Sequence, residues 1–350
     1  MLYQMTDASL MALVGLAGGV MLGLAARLGR FCTLGAIEDY LYQDSAVRLR
    51  MWGVAIGVAI LGVYALAGAG AVVPGDTVYL AEAWSPVASV LGGLMFGYGM
   101  SIAGNCGFGA LARSGGGDFR AFVIVLVMGI SAYVVLSGPL AAPRVALVEA
   151  TQLAGETRSI PALLGGGGGG VVAAGLALGL LMLVAALASK ELLARPAAIA
   201  WGAVVGVAIV SGYWGTARVV ETHFSALPVV SHTFSAPLGE TLLYVMTSSG
   251  GGLSFGVGSV TGVLAGAFAG SLIKGHFRWE ACEDPRELRR QILGAVLMGF
   301  GSVLALGCTI GQGLSAFSVL AISAPVTFVA IFIGAAIGLR QLITGFSVTT

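Results

Sequence analysis

Charge is what this sequence has least of. Only 9% of its 350 residues are Asp, Glu, Lys or Arg, against roughly 25% in soluble domains. With 57% hydrophobic residues and a mean hydropathy of +0.97, that scarcity excludes a soluble domain and points to an all-α integral membrane protein with lipid as its surroundings. A net charge of +1 leaves no basis for binding nucleic acid. There are three histidines and four cysteines, with no CxxC and no Cys/His zinc spacing, so no metal or other cofactor is expected. The absence of any nucleotide-binding motif excludes direct ATP hydrolysis by this chain, and it is not expected to be an enzyme. Met1 to Ala26 contains no Lys or Arg, so the charged start of a cleavable signal is missing and the first apolar segment is expected to stay in place.

What the chain has in excess is glycine, at 56 residues, about twice the ~7% of average usage. In lipid, small residues let helices approach closely, and most of these glycines read as packing. A spanning helix needs about 20 apolar residues. Nine segments qualify: Ser9–Leu28, Met51–Gly70, Val87–Ala103, Phe119–Leu140, Leu163–Ser189, Ala197–Gly215, Leu253–Ile273, Gln291–Leu306 and Ala324–Leu339. Four more, Phe31–Tyr42, Gly107–Arg113, Leu238–Ser248 and Thr309–Leu320, are too short to span and read as half-helices. Irregular backbone at membrane depth is tolerated only inside protein or along a cavity, so all four are expected to point inward. The run Gly165–Gly170 is a poor helix former, which predicts a late start for the fifth span.

One stretch occurs twice. A shift of 202 positions lays Leu91, Gly92, Gly97, Gly99, Ala103, Cys106 and Gly109 onto Leu293, Gly294, Gly299, Gly301, Ala305, Cys308 and Gly311. Four crossings in the first copy and one in a linker start the second copy from the opposite face, which makes the duplication an inverted repeat. The expected units are residues 1–140, a linker with its own span at 141–195, and residues 196–350. Charge sets the orientation: on this layout one face carries 14 of the 17 Lys and Arg residues, the other only Arg144, Arg158 and Arg218. By the positive-inside rule the N-terminus is outside and the C-terminus inside.

The residues with chemistry to offer cluster at the breaks. In Asn105-Cys106-Gly107 and Gly307-Cys308-Thr309 a cysteine stands where one helix ends and a half-helix begins. Helix N-termini offer unpaired N–H groups and the positive end of the dipole, and so attract anions. Cys32 stands likewise before the half-helix that follows Arg30-Phe31, while the shift places Phe234 at its counterpart. Three thiols along a membrane path suggest sulfur recognition, since an S–H is a weak donor that a soft sulfur anion accepts. Asn105 and Gln312 flank the breaks as amide donors, and Arg30 is placed to attract anions at the inner mouth. Glu38 and Asp39 are expected at the inner surface, and Glu240 near a half-helix start. His223, His232 and His276 are expected in solvated loops, and Cys282, in a charged run, in a loop without a mechanistic role.

These motifs resemble the YeeE/YedE family of sulfur-transport membrane proteins, the thiosulfate transporters. The carrying segments are Gly29 to Thr33, Gly104 to Gly117 and Gly307 to Gly313. The resemblance implies an inverted-repeat fold of nine spans with short helices dipping to the centre. It also implies thiosulfate uptake into the cytoplasm across the bacterial inner membrane, with Cys106, Cys308 and Cys32 contacting the anion in succession. Family members often work beside a TusA-like sulfur carrier, which would here be a separate protein. Transport of another sulfur or selenium anion, or a membrane thiol oxidoreductase or sulfurtransferase, are the alternatives.

Overall fold

The computed structural model describes residues 6–153, 159–164, 168–223, 227–249, 252–281 and 284–345; Cys282 and Arg158 lie outside them. Fourteen helical segments form the frame. The first half holds α1 (Asp7–Leu28), α2 (Thr33–Tyr42), α3 (Val47–Gly68), α4 (Pro86–Ala103), α5 (Gly107–Ser114) and α6 (Phe119–Leu136), followed by α7 (Ala141–Thr151) and the linker helix α8 (Gly169–Leu187). The second half holds α9 (Pro196–His223), α10 (Ala236–Thr247), α11 (Phe255–Ile273), α12 (Pro285–Leu304), α13 (309–318) and α14 (Ser323–Thr344). Strand pairing among the described residues is limited to three isolated bridges.

Local chemistry starts these helices. Thr6, Ser85, Asp118, Ser254 and Asp284 each accept a backbone N–H with the side chain at an N-cap, satisfying one of the donors that a helix start leaves open. Pro86 and Pro285 follow two of those caps at the first helical position, where no N–H is needed. The linker helix begins only at Gly169, late as the glycine run predicts.

All four half-helices are present. Eight helices among the described residues are long and apolar enough to cross a membrane. The ninth expected span, α12, is a continuous 20-residue helix, but Arg286, Glu287, Arg289 and Arg290 occupy its first two turns and shorten its apolar length. The fourth span stops at Leu136, short of the expected Leu140. The separate helix α7 that follows was not expected.

The halves interlock. The first helix of each half lies against the third helix of the other: α1 on α11 and α9 on α3. Likewise α4 packs on α14, and its counterpart α12 on α6. The central pair, α4 and α12, shows how the copies relate. A methyl group on Gly92 would stand 2.6 Å from the Gly301 carbonyl, and one on Gly99 would stand 2.6 Å from the Gly294 carbonyl. Numbers rise along one helix as they fall along the other, so two helices equivalent under the 202-residue shift run antiparallel. Val14 opposite Gly215 and Gly29 opposite Trp201 give α1 and α9 the same relation. Equivalent helices packed head to tail are what a two-fold axis lying across the bundle produces, in agreement with the parity argument.

Candidate functional site

Each of the three cysteines among the described residues stands at the start of a half-helix. Cys32 is the N-cap residue of α2 in extended backbone, and Cys106 that of α5, where its Sγ accepts the Gly109 N–H at 3.2 Å. Cys308 precedes α13, and its Sγ accepts the Phe234 N–H at 3.2 Å and lies 3.8 Å from the Thr233 hydroxyl. Cys106 and Cys308 are fully buried. Residues Gly311–Ala316 within α13 wind as a π-helix, a local widening that recurs at functional positions.

The breaks are built from left-handed turns. Gly104 closes α4 at φ 76°, and Leu306, its equivalent, takes φ 55°. Such a turn costs an L-residue roughly 1–2 kcal/mol. A methyl on Gly104 would meet nothing within 4 Å. Gly104→Ala is therefore expected to cost only about 1 kcal/mol, read as a small fall in melting temperature in detergent, and to leave a folded protein.

The Cys32 and Cys106 thiols converge. A methyl on Gly109 would stand 3.4 Å from the Cys106 Sγ, 3.7 Å from the Cys32 Sγ and 3.7 Å from the Asn105 Oδ1. Cys32, Asn105 and Gly109 line a cavity of about 330 Å3 together with Arg27, Arg30, Arg48 and Arg113, and Cys106 is buried beside it. Arg48 is held by both oxygens of Asp39, and the Arg27 Nε donates to the Ser271 hydroxyl at 2.7 Å. Arg30, exposed and in a left-handed turn at φ 55°, also lines the cavity.

The break at Cys308 follows the same plan with different groups. Gly311, the equivalent of Gly109, faces the Thr233 and Tyr79 hydroxyls in place of thiols: its methyl would come within 3.0 Å of the Tyr79 oxygen and closer still to Thr233. Gly307, Thr233 and Tyr79 line a second cavity of about 190 Å3 together with Arg144. Phe234 connects the two sides. Its N–H reaches Cys308, its carbonyl would lie 3.2 Å from a methyl on Gly107, and its buried ring packs on Phe108 at 5.3 Å. Gly107 is thus glycine for close approach.

Two hydroxyls beside the cysteines are left without partners. Thr33 and Thr309, each directly after a cysteine, are buried and their Oγ1 atoms make no hydrogen bond among the described residues. An unpaired buried polar group costs stability, and a bound polar ligand would remove that cost.

Other expected residues sit differently. The Gln312 amide donates to the Ala305 and Leu306 carbonyls at 2.8 and 3.2 Å, so it satisfies the backbone freed at the break. Asp39 is buried against Arg48 rather than at the surface, whereas Glu38 is exposed at the cavity that Cys32 lines. His232, expected in solvent, is fully buried, with Nδ1 2.6 Å from the Ser259 hydroxyl and its ring filling the space that Gly18 leaves. His223 faces Asp7 at 2.8 Å. Glu240 lies on α10 and lines a separate outer cavity. Thr233, Tyr79 and Arg144 were not singled out from sequence. A signal for Thr233 existed, since the 202-residue shift maps Phe31 onto it beside the pair Cys32 and Phe234.

A family profile described as sulphur transport matches residues 28–337. The chain is 27% identical over 317 residues to the thiosulfate transporter TsuA of Escherichia coli (strain K12), covering 87% of each protein. It is 24% identical over 322 residues to the thiosulfate transporter TsuA of Spirochaeta thermophila, covering 88% of this chain and 92% of that one. Both are transporters, in keeping with a chain that is not an enzyme. With the profile spanning nearly its whole length, this multi-pass membrane protein belongs to the sulphur-transport family.

Proposed function

We propose that the protein takes up thiosulfate across the bacterial inner membrane, with its N-terminus outside and its C-terminus in the cytoplasm. The observation that carries the reading is the placement of Cys106 and Cys308 at the starts of two equivalent half-helices, each beside a cavity. An N-terminus supplies a positive dipole end without a buried charge. The sulfur of each cysteine accepts a backbone N–H, which fixes the thiol and leaves its hydrogen to donate. Thiosulfate carries a soft terminal sulfur that accepts such a donor. Where the resemblance implied the order Cys106, Cys308, Cys32, the pairing of Cys106 with Cys32 beside Gly109 favours entry at Cys308, passage by Phe234 and exit by Cys106 and Cys32 toward the arginine-lined inner cavity. Neutral thiols suit this passage, because a thiolate would repel the anion.

The units are a first repeat over residues 1–140, a linker with its helix over 141–195, and a second repeat over 196–350. The inner arginines form a docking face for a separate, acidic TusA-like sulfur carrier. Labelled thiosulfate uptake into proteoliposomes, with unlabelled sulfate, sulfite, selenate and thiosulfate as competitors, tests the assignment. Saturable uptake displaced by thiosulfate and little affected by sulfate is expected. Uptake displaced better by sulfite or selenate than by thiosulfate would assign another anion.

A further inference from the structure

The outer cavity contains one cation, Arg144, and it stands on α7, a helix outside both the expected spans and the half-helices. Its Nε is buried and has no hydrogen-bond partner among the described residues. The rest of the guanidinium makes no hydrogen bond or ion pair with them either. The other outer arginine among those residues, Arg218, is paired with Glu221 at 3.2 Å. A guanidinium has five N–H donors and no acceptor, and the Nε–H buried here without a partner costs stability. Several hydroxyls lining the same space are already committed: Tyr213 donates to the Ser315 carbonyl, Ser231 to the Ile209 carbonyl and Ser302 to the Gly299 carbonyl. The floor of the cavity is Gly307 and Thr233, directly beside Cys308.

We propose that Arg144 is the outer oxyanion-binding residue, which holds the oxygen end of a small sulfur oxyanion while the sulfur end faces the Cys308 thiol. The planar fork of arginine matches two oxygens of a tetrahedral anion, and Thr233 and Tyr79 line the same cavity. This rests on the thiosulfate reading above and adds to it an orientation and an entry site. Recognition is then divided: the guanidinium selects for an oxyanion, and the thiol selects for sulfur. Sulfate, which has the first feature only, occupies the site weakly.

Initial rates of labelled thiosulfate uptake from the outer face of oriented vesicles test it. Arg144→Gln is expected to raise the half-saturating concentration tenfold or more while the maximal rate stays within about twofold. Arg144→Lys keeps the charge without the fork and is expected to fall between Gln and wild type. Sulfate inhibition, weak in wild type, is expected to disappear in Arg144→Gln. Since the side chain makes no bond that the fold needs, both variants should purify as monodisperse protein. An unchanged half-saturating concentration in Arg144→Gln overturns the proposal, as does a loss confined to the maximal rate. Equal loss of folded protein in both variants also overturns it, because Arg144 would then be structural. A wild type silent toward thiosulfate would instead bring down the functional assignment, and this inference with it.

Discussion

Cys106→Ala and Cys308→Ala are each expected to abolish growth on thiosulfate as sole sulfur source in a strain without other uptake, while Cys282→Ala grows like wild type. The two buried cysteines do two jobs each. Their sulfurs accept the Gly109 and Phe234 N–H groups, and on the proposed path their hydrogens are donors matched to a sulfur atom. Alanine removes both. The lost cap at Cys106, or the lost Phe234 bond at Cys308, costs about 1 kcal/mol, too little to unfold the protein, so monodispersity in detergent should survive while uptake falls at least 100-fold. Serine separates the roles: it can accept and donate, so retained uptake would show that hydrogen bonding suffices, and complete loss would require a sulfur-specific step. Equal tolerance of alanine at positions 106, 308 and 282 would end the thiol path as an explanation.

Gly294→Leu is the second large effect, and it acts on the frame. Where α4 and α12 cross, Gly92, Gly99, Gly294 and Gly301 bring the two backbones together. The first atom of a side chain at Gly294 would meet the Gly99 carbonyl and the Ala103 nitrogen at 2.6 Å. Neither is the end of a flexible side chain, so the helices themselves must part. Overpacking of a close-packed site costs about 1–3 kcal/mol, and more where backbone must move. Leucine at this crossing should therefore leave little monodisperse protein after extraction. Gly75→Ala, at a position with nothing within 4 Å, is the control and should behave as wild type. A well-folded Gly294→Leu protein would show that this crossing does not organise the bundle.

Most of the frame is legible in the sequence because hydropathy in a membrane is a strong local signal. The four half-helices lie within a few residues of their expected places, and Cys32, Cys106 and Cys308 all fall at their starts. The gaps have physical reasons. Residues 141–151 carry Pro143, Arg144 and Glu149 and fall in the linker outside every expected span, yet they wind into α7. His232 stands between Ser231 and Thr233, which looks like a polar loop, but Gly18 on α1 leaves room for its ring. Tyr79 reaches the Cys308 side from a four-residue turn of helix, Val78–Ala81, more than 200 positions away. No local pattern reports such a contact. Gln312 sits where it was expected, and only the carbonyls freed at Ala305 and Leu306 reveal that its amide is occupied.

Phe234 occupying the place that Cys32 holds in the other copy has a consequence for dose response. A conduit identical from both ends would bind its cargo equally at each mouth and saturate at the same concentration from either side. Here one cavity is lined by Cys32 and four arginines with Cys106 beside it, and the other is lined by Arg144 and by Thr233, the neighbour of Cys308. On the proposed path that difference gives each face its own working range: the external concentration at which the entrance fills, and the internal one at which the exit backs up.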